Sequence, residues 1–392
     1  MLAIGSHGNP SSWRSRAHEG DEVAATLSPV TALLGPDELA AIVSLHEFEA
    51  PGRARMAGPA RDYVAGGAWD EITLAENDAA WREFRFVPRV LTDIRTIDVA
   101  GSFLGRPSAL PIAVAPMAVM AMAHPDGEGA VALAAAASGI PYCVSTSAST
   151  SIEVVAEAAP GADLLFQLYL TRDLEYTRSL VDRAVAAGYR AIVLTVDLPV
   201  LGYRERDRRS GFELPSMPNV EPAAGAARGR YAGLEDQRAM GLTWADIETI
   251  RSWSTLPLVL KGILAPEDAR LAVEHGVDGI VVSNHGARQL DRSIATAHAL
   301  PEITAAVDGR LEVWVDGGIR RGLDVAIALA LGATGVLVGR PIYWALAAGG
   351  QPGVERALAI LREELELTLP LLGCASISDI HRELIRRRPA VW

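Results

Sequence analysis

A histidine and an arginine three residues apart, His285 and Arg288, stand in the stretch Ser283-Asn284-His285-Gly286-Ala287-Arg288-Gln289-Leu290-Asp291, directly after the apolar run Gly279-Ile280-Val281-Val282. A short β-branched run giving way to a polar, glycine-containing segment reads as a buried strand that ends in a functional loop. An imidazole can serve as a general base near neutral pH, and a guanidinium offers a planar fork that matches a carboxylate. The pair points to chemistry on an acid. Each residue alone also fits an ordinary structural role, a hydrogen-bonded histidine or an arginine in a salt bridge, so the elements that position them must decide.

Seven further apolar runs resemble the one before His285: Ile112 to Ala115, Tyr142 to Ser145, Leu164 to Tyr169, Ala191 to Val196, Leu258 to Lys261, Glu312 to Val315 and Gly335 to Val338. Helical patterns lie between them, at Glu128 to Ser138, Ile152 to Ala158, Leu174 to Ala187, Pro266 to His275, Ala297 to Val307 and Gly322 to Leu331, with another at Val354 to Leu369. Strands apolar on both faces and alternating with helices imply parallel pairing; eight units match a closed (β/α)8 TIM barrel of the α/β class, with an open doubly wound sheet as the alternative. Pro36 to Ala50 and Gly58 to Arg89 read as a mainly helical extension before the barrel. The connection after the fourth strand is too long for one crossover helix. Its stretch of about 206–244 reads as a polar lid over the barrel mouth. Residues 1–28 lack periodicity and read as a flexible leader, leaving 29–392 as a single domain.

In a barrel of this kind the reactive groups stand at the C-terminal ends of the strands. Those ends carry Ser145, Gln167 with Tyr169, Thr195 with Asp197, Lys261, Ser283 with His285 and Arg288, Asp316 and Arg340. A structural role explains any one of them, but not a polar constellation at successive strand ends. The last two units carry Asp316-Gly317-Gly318-Ile319-Arg320-Arg321-Gly322 and Gly339-Arg340-Pro341, where glycine lets backbone N–H groups approach an anion and a helix start follows. Barrels commonly bind phosphate after strands seven and eight, so a phosphorylated cofactor is expected there.

Composition sets the limits. The 392 residues are 49% hydrophobic and 21% charged, as in a globular protein, and the net charge of −12 argues against nucleic acid or an anionic membrane as partner. Two cysteines, Cys143 and Cys374, form neither a disulfide framework nor a metal-ligand spacing, so no metal is expected and a reducing cytoplasm fits. No stretch is apolar for the length a membrane span needs, and a soluble protein is expected.

From about Leu33 to Leu384 the chain resembles the FMN-dependent L-2-hydroxy acid oxidases and dehydrogenases. The resemblance is carried by Ser283 to Asp291, by Leu194-Thr195-Val196-Asp197-Leu198-Pro199 through Gly202 and Arg204, and by Val315 to Gly322. It implies FMN as cofactor, His285 as the base, Asp197 as its partner, and Tyr63 with Arg288 as the grip on the substrate carboxylate. It assigns Tyr169 to the substrate oxygen, Lys261 to the flavin N1–C2 edge and Arg204 to the substrate end of the pocket. Pro116, Ala118, Ser145, Gln167, Thr195 and Ser283 are implied around the ring and ribityl chain, and Asp316, Gly318, Arg320, Gly339 and Arg340 around ribityl and phosphate. A homotetramer is the usual assembly of such proteins.

Two positions refine the expectation. Glycolate oxidases carry a bulky aromatic where this chain has Ser147, so a wider pocket and an aromatic substrate, mandelate or 4-hydroxymandelate, are expected unless Met117, Met122 or the lid refills the space. Ala118 matches the oxidases rather than the membrane mandelate dehydrogenases, which favours O2 as acceptor and H2O2 as product. The alternatives are an aliphatic hydroxy acid oxidase, a dehydrogenase feeding a quinone or carrier protein, and a non-catalytic flavin- or phosphate-binding barrel. The last has no need of Asp197, His285 and Arg288 together.

Overall fold

The computed structural model describes residues 32–220 and 241–388; the expected leader and the middle of the expected lid lie outside the described residues. Helices Pro36–Ala41, Glu49–Arg55, Gly58–Ala65 and Ile72–Trp81 lead to a short strand β1 (Phe84–Phe86) and a hairpin of β2 (Gly101–Phe103) and β3 (Arg106–Ser108). Eight parallel strands follow: β4 (Ile112–Val114), β5 (Tyr142–Ser145), β6 (Leu164–Leu168), β7 (Ile192–Thr195), β8 (Leu258–Ile263), β9 (Gly279–Val282), β10 (Glu312–Val315) and β11 (Gly335–Val338). They close into a barrel, β11 pairing with β4, and the expected (β/α)8 fold holds strand by strand.

Strand alternation decides what faces inward. One residue per strand fills the barrel interior: Ala113, Cys143, Leu165, Val193, Val259, Val281, Trp314 and Leu337, with Phe103 of the hairpin packed edge-on against Trp314 at 4.8 Å. Their neighbours, such as Ile112, Val144, Phe166 and Ile280, point outward under the helices. With a side-chain period of two, the next inward positions toward the C-terminal mouth are Ala115, Ser145, Gln167, Thr195, Lys261, Ser283, Asp316 and Gly339. The interior thus changes from apolar to polar in one step, at the level where the site begins.

Local chemistry sets the crossover helices. Ser151 and Asp173 cap Ile152–Ala158 and Leu174–Ala186, accepting from the backbone N–H groups of Val154 and Tyr176. Gly139 ends Gly127–Ser138 in the left-handed conformation at φ +66°. The final helix departs from expectation. It begins at Arg340, directly after β11, and runs to Leu372, interrupted at Gly350 (φ +62°). The Gly349-Gly350 pair hides its first half from a periodicity reading. Beyond it, β12 (Ile385–Arg387) pairs antiparallel with β1 and ties the two ends of the barrel domain together. Among the described residues no helix is long and apolar enough to cross a membrane.

The connection after β7 is less polar than expected in its described part. Helix Glu205–Ser210 opens it, and Phe212, Met217 and Val220 are buried. The Phe212 ring stacks on Tyr63, with centroids 4.5 Å apart, so this segment covers the barrel mouth with an aromatic contact.

Candidate active site

A cavity at the C-terminal mouth is lined by Tyr63, Pro116, Met117, Ala118, Ser145, Ser147, Gln167, Tyr169, Thr195, Arg204, Lys261, His285, Arg288, Asp316, Gly318, Arg320, Gly339 and Arg340. All but two of the site residues expected from sequence therefore line one cavity. The exceptions, Asp197 and Ser283, stand behind it and hold residues that do. Asp197 Oδ1 lies 2.8 Å from His285 Nδ1. The Ser283 hydroxyl accepts from Lys261 Nζ at 2.9 Å and from the His285 N–H at 3.0 Å.

His285 sits in an unusual backbone. His285, Gly286 and Ala287 all have φ between +59° and +62°, a left-handed turn that glycine adopts freely and the other two do not. It turns the imidazole into the cavity directly at the end of β9. Burial pulls the His285 pKa below its ordinary value, and Lys261 and Arg204 add to this, outweighing the opposing pull of Asp197. Burial works against the Asp197 carboxylate, but His285 and Lys261 hold its pKa below the usual range. The pair is carboxylate and neutral imidazole, the state a proton acceptor needs.

Arg288 and Tyr63, the residues expected to grip a carboxylate, come together from two chain segments. Arg288 Nη1 donates to the backbone oxygens of Tyr63 (2.6 Å) and Gly66 (3.0 Å), and its guanidinium lies 4.6 Å from the Tyr63 ring centroid. Arg204 donates to the Arg288 carbonyl and to Gln289 Oε1, each at 3.1 Å. Gln289 Nε2 in turn donates to the Val200 carbonyl at 2.9 Å. This knits the loop after β7, which bears Asp197, to the loop after β9, which bears His285.

On the opposite side, Lys261 is 3.2 Å from Asp316 Oδ2. Burial disfavours its charge, yet Asp316 and Asp197 raise its pKa above the ordinary value, so the ammonium persists. The Gln167 amide spans Ser145 Oγ and Thr195 Oγ1, both at 3.0 Å, continuing the polar floor. Arg340, on the cavity lining, also has a structural part. Its Nε and Nη2 donate to the carbonyls of Val64, Gly66 and Gly286 at 2.8–3.0 Å, so much of its guanidinium fastens the helical extension to the His285 turn.

The walls fit a phosphorylated flavin. Burial, then the charges of Arg288, Arg320 and Arg204, push the Arg340 pKa well down, the mark of positive charge gathered beyond what nearby carboxylates balance. An anion relieves it. Asp316 Oδ1 is buried with no hydrogen-bond partner among the described residues, an acceptor left for a ligand hydroxyl. Gly318 and Gly339 bring backbone to the same cavity.

Several contributors were not singled out from sequence. Leu198 and Leu201, inside the segment after β7 that carries the resemblance, and Leu214 and Tyr343, outside any motif, also line the cavity. Glu128, fully buried, accepts from Met120 N (3.0 Å), Ser149 N (2.9 Å) and Thr150 Oγ1 (3.0 Å), joining the loops that carry Ala118 and Ser147. Only its position at the start of a helix that faces those loops could have signalled this. Of the two methionines considered as fillers, Met117 is on the wall and Met122 is buried in the core.

Known proteins agree with this geometry. The chain is 48% identical over 353 residues to the L-lactate oxidase of Nostoc sp., covering 86% of this chain and 96% of that protein. It is 44% identical to the glycolate oxidase of Spinacia oleracea over 353 residues, covering 88% and 95%. Among solved structures, mandelate oxidase matches with a TM-score of 0.82 at 45% identity, over 88% of this chain and 98% of that one. Mandelate oxidase with (S)-4-hydroxymandelic acid matches at 0.83, with the same identity and coverage. The profile described as FMN-dependent dehydrogenase matches residues 52–387, and the chain belongs to that family.

Proposed function

We propose that this FMN protein oxidises an aromatic L-2-hydroxy acid, mandelate or 4-hydroxymandelate, to the 2-oxo acid with O2 as acceptor. The observation that carries the aromatic reading is Ser147. It lines the cavity where the glycolate oxidases present a bulky aromatic, and Leu198, Leu201 and Leu214 line the same cavity. A small hydroxylated residue in a cavity that leucines also line leaves apolar room for a ring. Sequence identity does not choose between substrates, because the lactate, glycolate and mandelate oxidases are all 44–48% identical to the chain.

In this reading Arg288 and Tyr63 hold the substrate carboxylate, and Tyr169 and Arg204 border the hydroxyl end. That fixes the α-carbon beside the base, so orientation as well as proton transfer lowers the barrier. His285 Nε2, opposite the Nδ1 held by Asp197, takes the substrate proton, and Asp197 stabilises the imidazolium that results. When bound, FMN supplies a two-electron acceptor that O2 can reoxidise with release of H2O2. Gly318, Gly339 and Arg320 are the residues to hold its phosphate, Asp316 its ribityl hydroxyls, and Lys261 is the fixed cation for its ring. Ala118 supports O2 over a quinone or carrier protein.

We place the enzyme in the cytoplasm as a homotetramer. Val90, Leu91, Leu367 and Leu371 stand exposed, and the Arg89 N–H donates to the Leu372 carbonyl, so the two segments adjoin in an apolar face that a second copy would cover. Sedimentation of the purified protein tests this.

The deciding experiment is an anaerobic visible spectrum, then (S)-mandelate, then air. Bleaching of the flavin band and its prompt return with peroxide is expected. Bleaching by lactate or glycolate alone would remove the aromatic reading, and slow return in air would favour a dehydrogenase.

A further inference from the structure

Outside the groups that face the cavity, Asn77 and Asn284 form a reciprocal amide pair, each nearly fully buried and 207 residues apart in sequence. Asn77 Nδ2 donates to Asn284 Oδ1 at 2.8 Å, and Asn284 Nδ2 donates back to Asn77 Oδ1 at 2.7 Å. The remaining capacity of Asn284 is also used: Nδ2 donates to the Ile294 carbonyl at 3.2 Å, and Oδ1 accepts from the Ala287 N–H at 3.1 Å. An asparagine has two donors and two acceptor sites, so all four are engaged.

The pair touches both halves of the site. Asn284 immediately precedes His285, and its carbonyl and side-chain oxygens both receive the Ala287 N–H, which closes the left-handed turn. That turn holds two non-glycine residues in a disfavoured conformation, so something must hold it shut. On its other side Asn77 abuts the Gly317–Gly318 turn. A Cβ on Gly318 would fall 1.9 Å from the Asn77 carbonyl oxygen, and one on Gly317 would fall 3.3 Å from Asn77 Nδ2. Trp81, one helical turn on, donates from Nε1 to the Gly317 carbonyl at 2.8 Å.

We propose that the Asn77–Asn284 amide pair is a positioning device that aims the His285 imidazole and seats the Gly317–Gly318 phosphate turn from a single anchor on helix Ile72–Trp81. The inference rests on the base role proposed for His285. Only an amide at both positions works. A carboxylate introduced at position 77 has no hydrogen for Asn284 Oδ1, and rotating the Asn284 amide to meet it would set an NH2 against the Ala287 N–H.

The test uses the holoenzyme variants Asn77→Asp, Asn284→Asp and the double variant, with Asn77→Ser should the charged ones fold poorly. Four quantities are read: the rate constant of anaerobic flavin reduction by (S)-mandelate, its pH profile, the FMN Kd from apoprotein titration, and the thermal midpoint. Reduction should slow by about 10²-fold, the usual cost of small misplacement of a reacting group. The acid limb should move and FMN should bind more weakly, and the double variant, which sets two buried carboxylates against each other, should lose at least as much as either single one. A lowered thermal midpoint with reduction, pH limb and FMN Kd unchanged would overturn the inference and leave the pair as core packing. His285→Ala, run alongside, separates the two readings: unchanged reduction there would overturn the base role itself.

Discussion

Asp197 and His285 come from the ends of different strands, β7 and β9, yet meet at 2.8 Å between Oδ1 and Nδ1, while Asp197 Oδ2 is buried with no hydrogen-bond partner among the described residues. The carboxylate is thus committed to the imidazole. It fixes the ring and leaves Nε2 as the nitrogen that can take a proton, and it stabilises the charge that arrives.

Flavin reduction should therefore hold at neutral pH and fall as pH drops through an apparent pKa below 6.5, because the base must be unprotonated and burial holds His285 below that value. In Asp197→Asn the limb should move to lower pH still, since the anion that raises the imidazole pKa is gone. The plateau rate should drop by about 10²-fold as the imidazolium loses its counter-charge. Stopped-flow reduction across pH checks both. A limb that moves upward, or a plateau left intact, would contradict the dyad.

Arg288→Lys should weaken substrate binding more than it slows chemistry. The guanidinium uses Nη1 on the Tyr63 and Gly66 carbonyls and keeps its plane beside the Tyr63 ring, a geometry that an ammonium cannot reproduce. Loss of one charge-assisted hydrogen bond, about 1.5–3 kcal/mol, raises the Kd for the acid by about 10- to 150-fold. Anaerobic titration with the acid measures it. An unchanged Kd would take Arg288 out of the carboxylate grip.

Ser147→Trp should turn the preference from mandelate toward glycolate. The residue is 3% exposed and on the cavity wall, so an indole there must occupy space the substrate ring would need. Overfilling a packed site costs about 1–3 kcal/mol, hence a loss of about 5- to 150-fold in kcat/KM for mandelate relative to glycolate. If the ratio stays as it was, the ring does not lie against Ser147.

The barrel and most of its site were legible because two regularities operate together. Strand runs of four to six residues mark the staves, and a period of two places Ser145, Gln167, Thr195, Lys261, Ser283 and Asp316 one step above an apolar layer that begins with Cys143 and Leu165. What stayed hidden is held by long-range contact without periodicity. Asn77 looks like any polar residue of an amphipathic helix until Asn284 is brought beside it. Gln289 lies inside the recognised motif, yet its bonds to Val200 and Arg204 depend on how two loops fold back. The strand β12 is too short to register, and its partner β1 is equally brief.

The contact between those two loops yields the last prediction. Gly202 packs so closely that a Cβ there would lie 2.3 Å from the Arg288 carbonyl oxygen, 2.5 Å from that of Gln289 and 2.7 Å from the Gln289 Cα. All three are backbone atoms, so no side-chain rotation gives relief. Gly202→Ala must push the loop bearing Asp197 away from the loop bearing His285. The Arg204 bonds to Arg288 and Gln289, and the Gln289 bond to Val200, should lengthen together. Overpacking of this kind costs about 1–3 kcal/mol of folding stability, readable from denaturant unfolding. Activity should fall further than stability accounts for, because Asp197 and His285 move apart and Arg288 shifts with its own carbonyl. Gln289→Ala makes the comparison informative, since it removes the same tie without the steric push. Both variants should raise the acid Kd and slow reduction, with Gly202→Ala the more severe. Wild-type reduction kinetics in a destabilised Gly202→Ala would show that the loops can separate without disturbing the dyad.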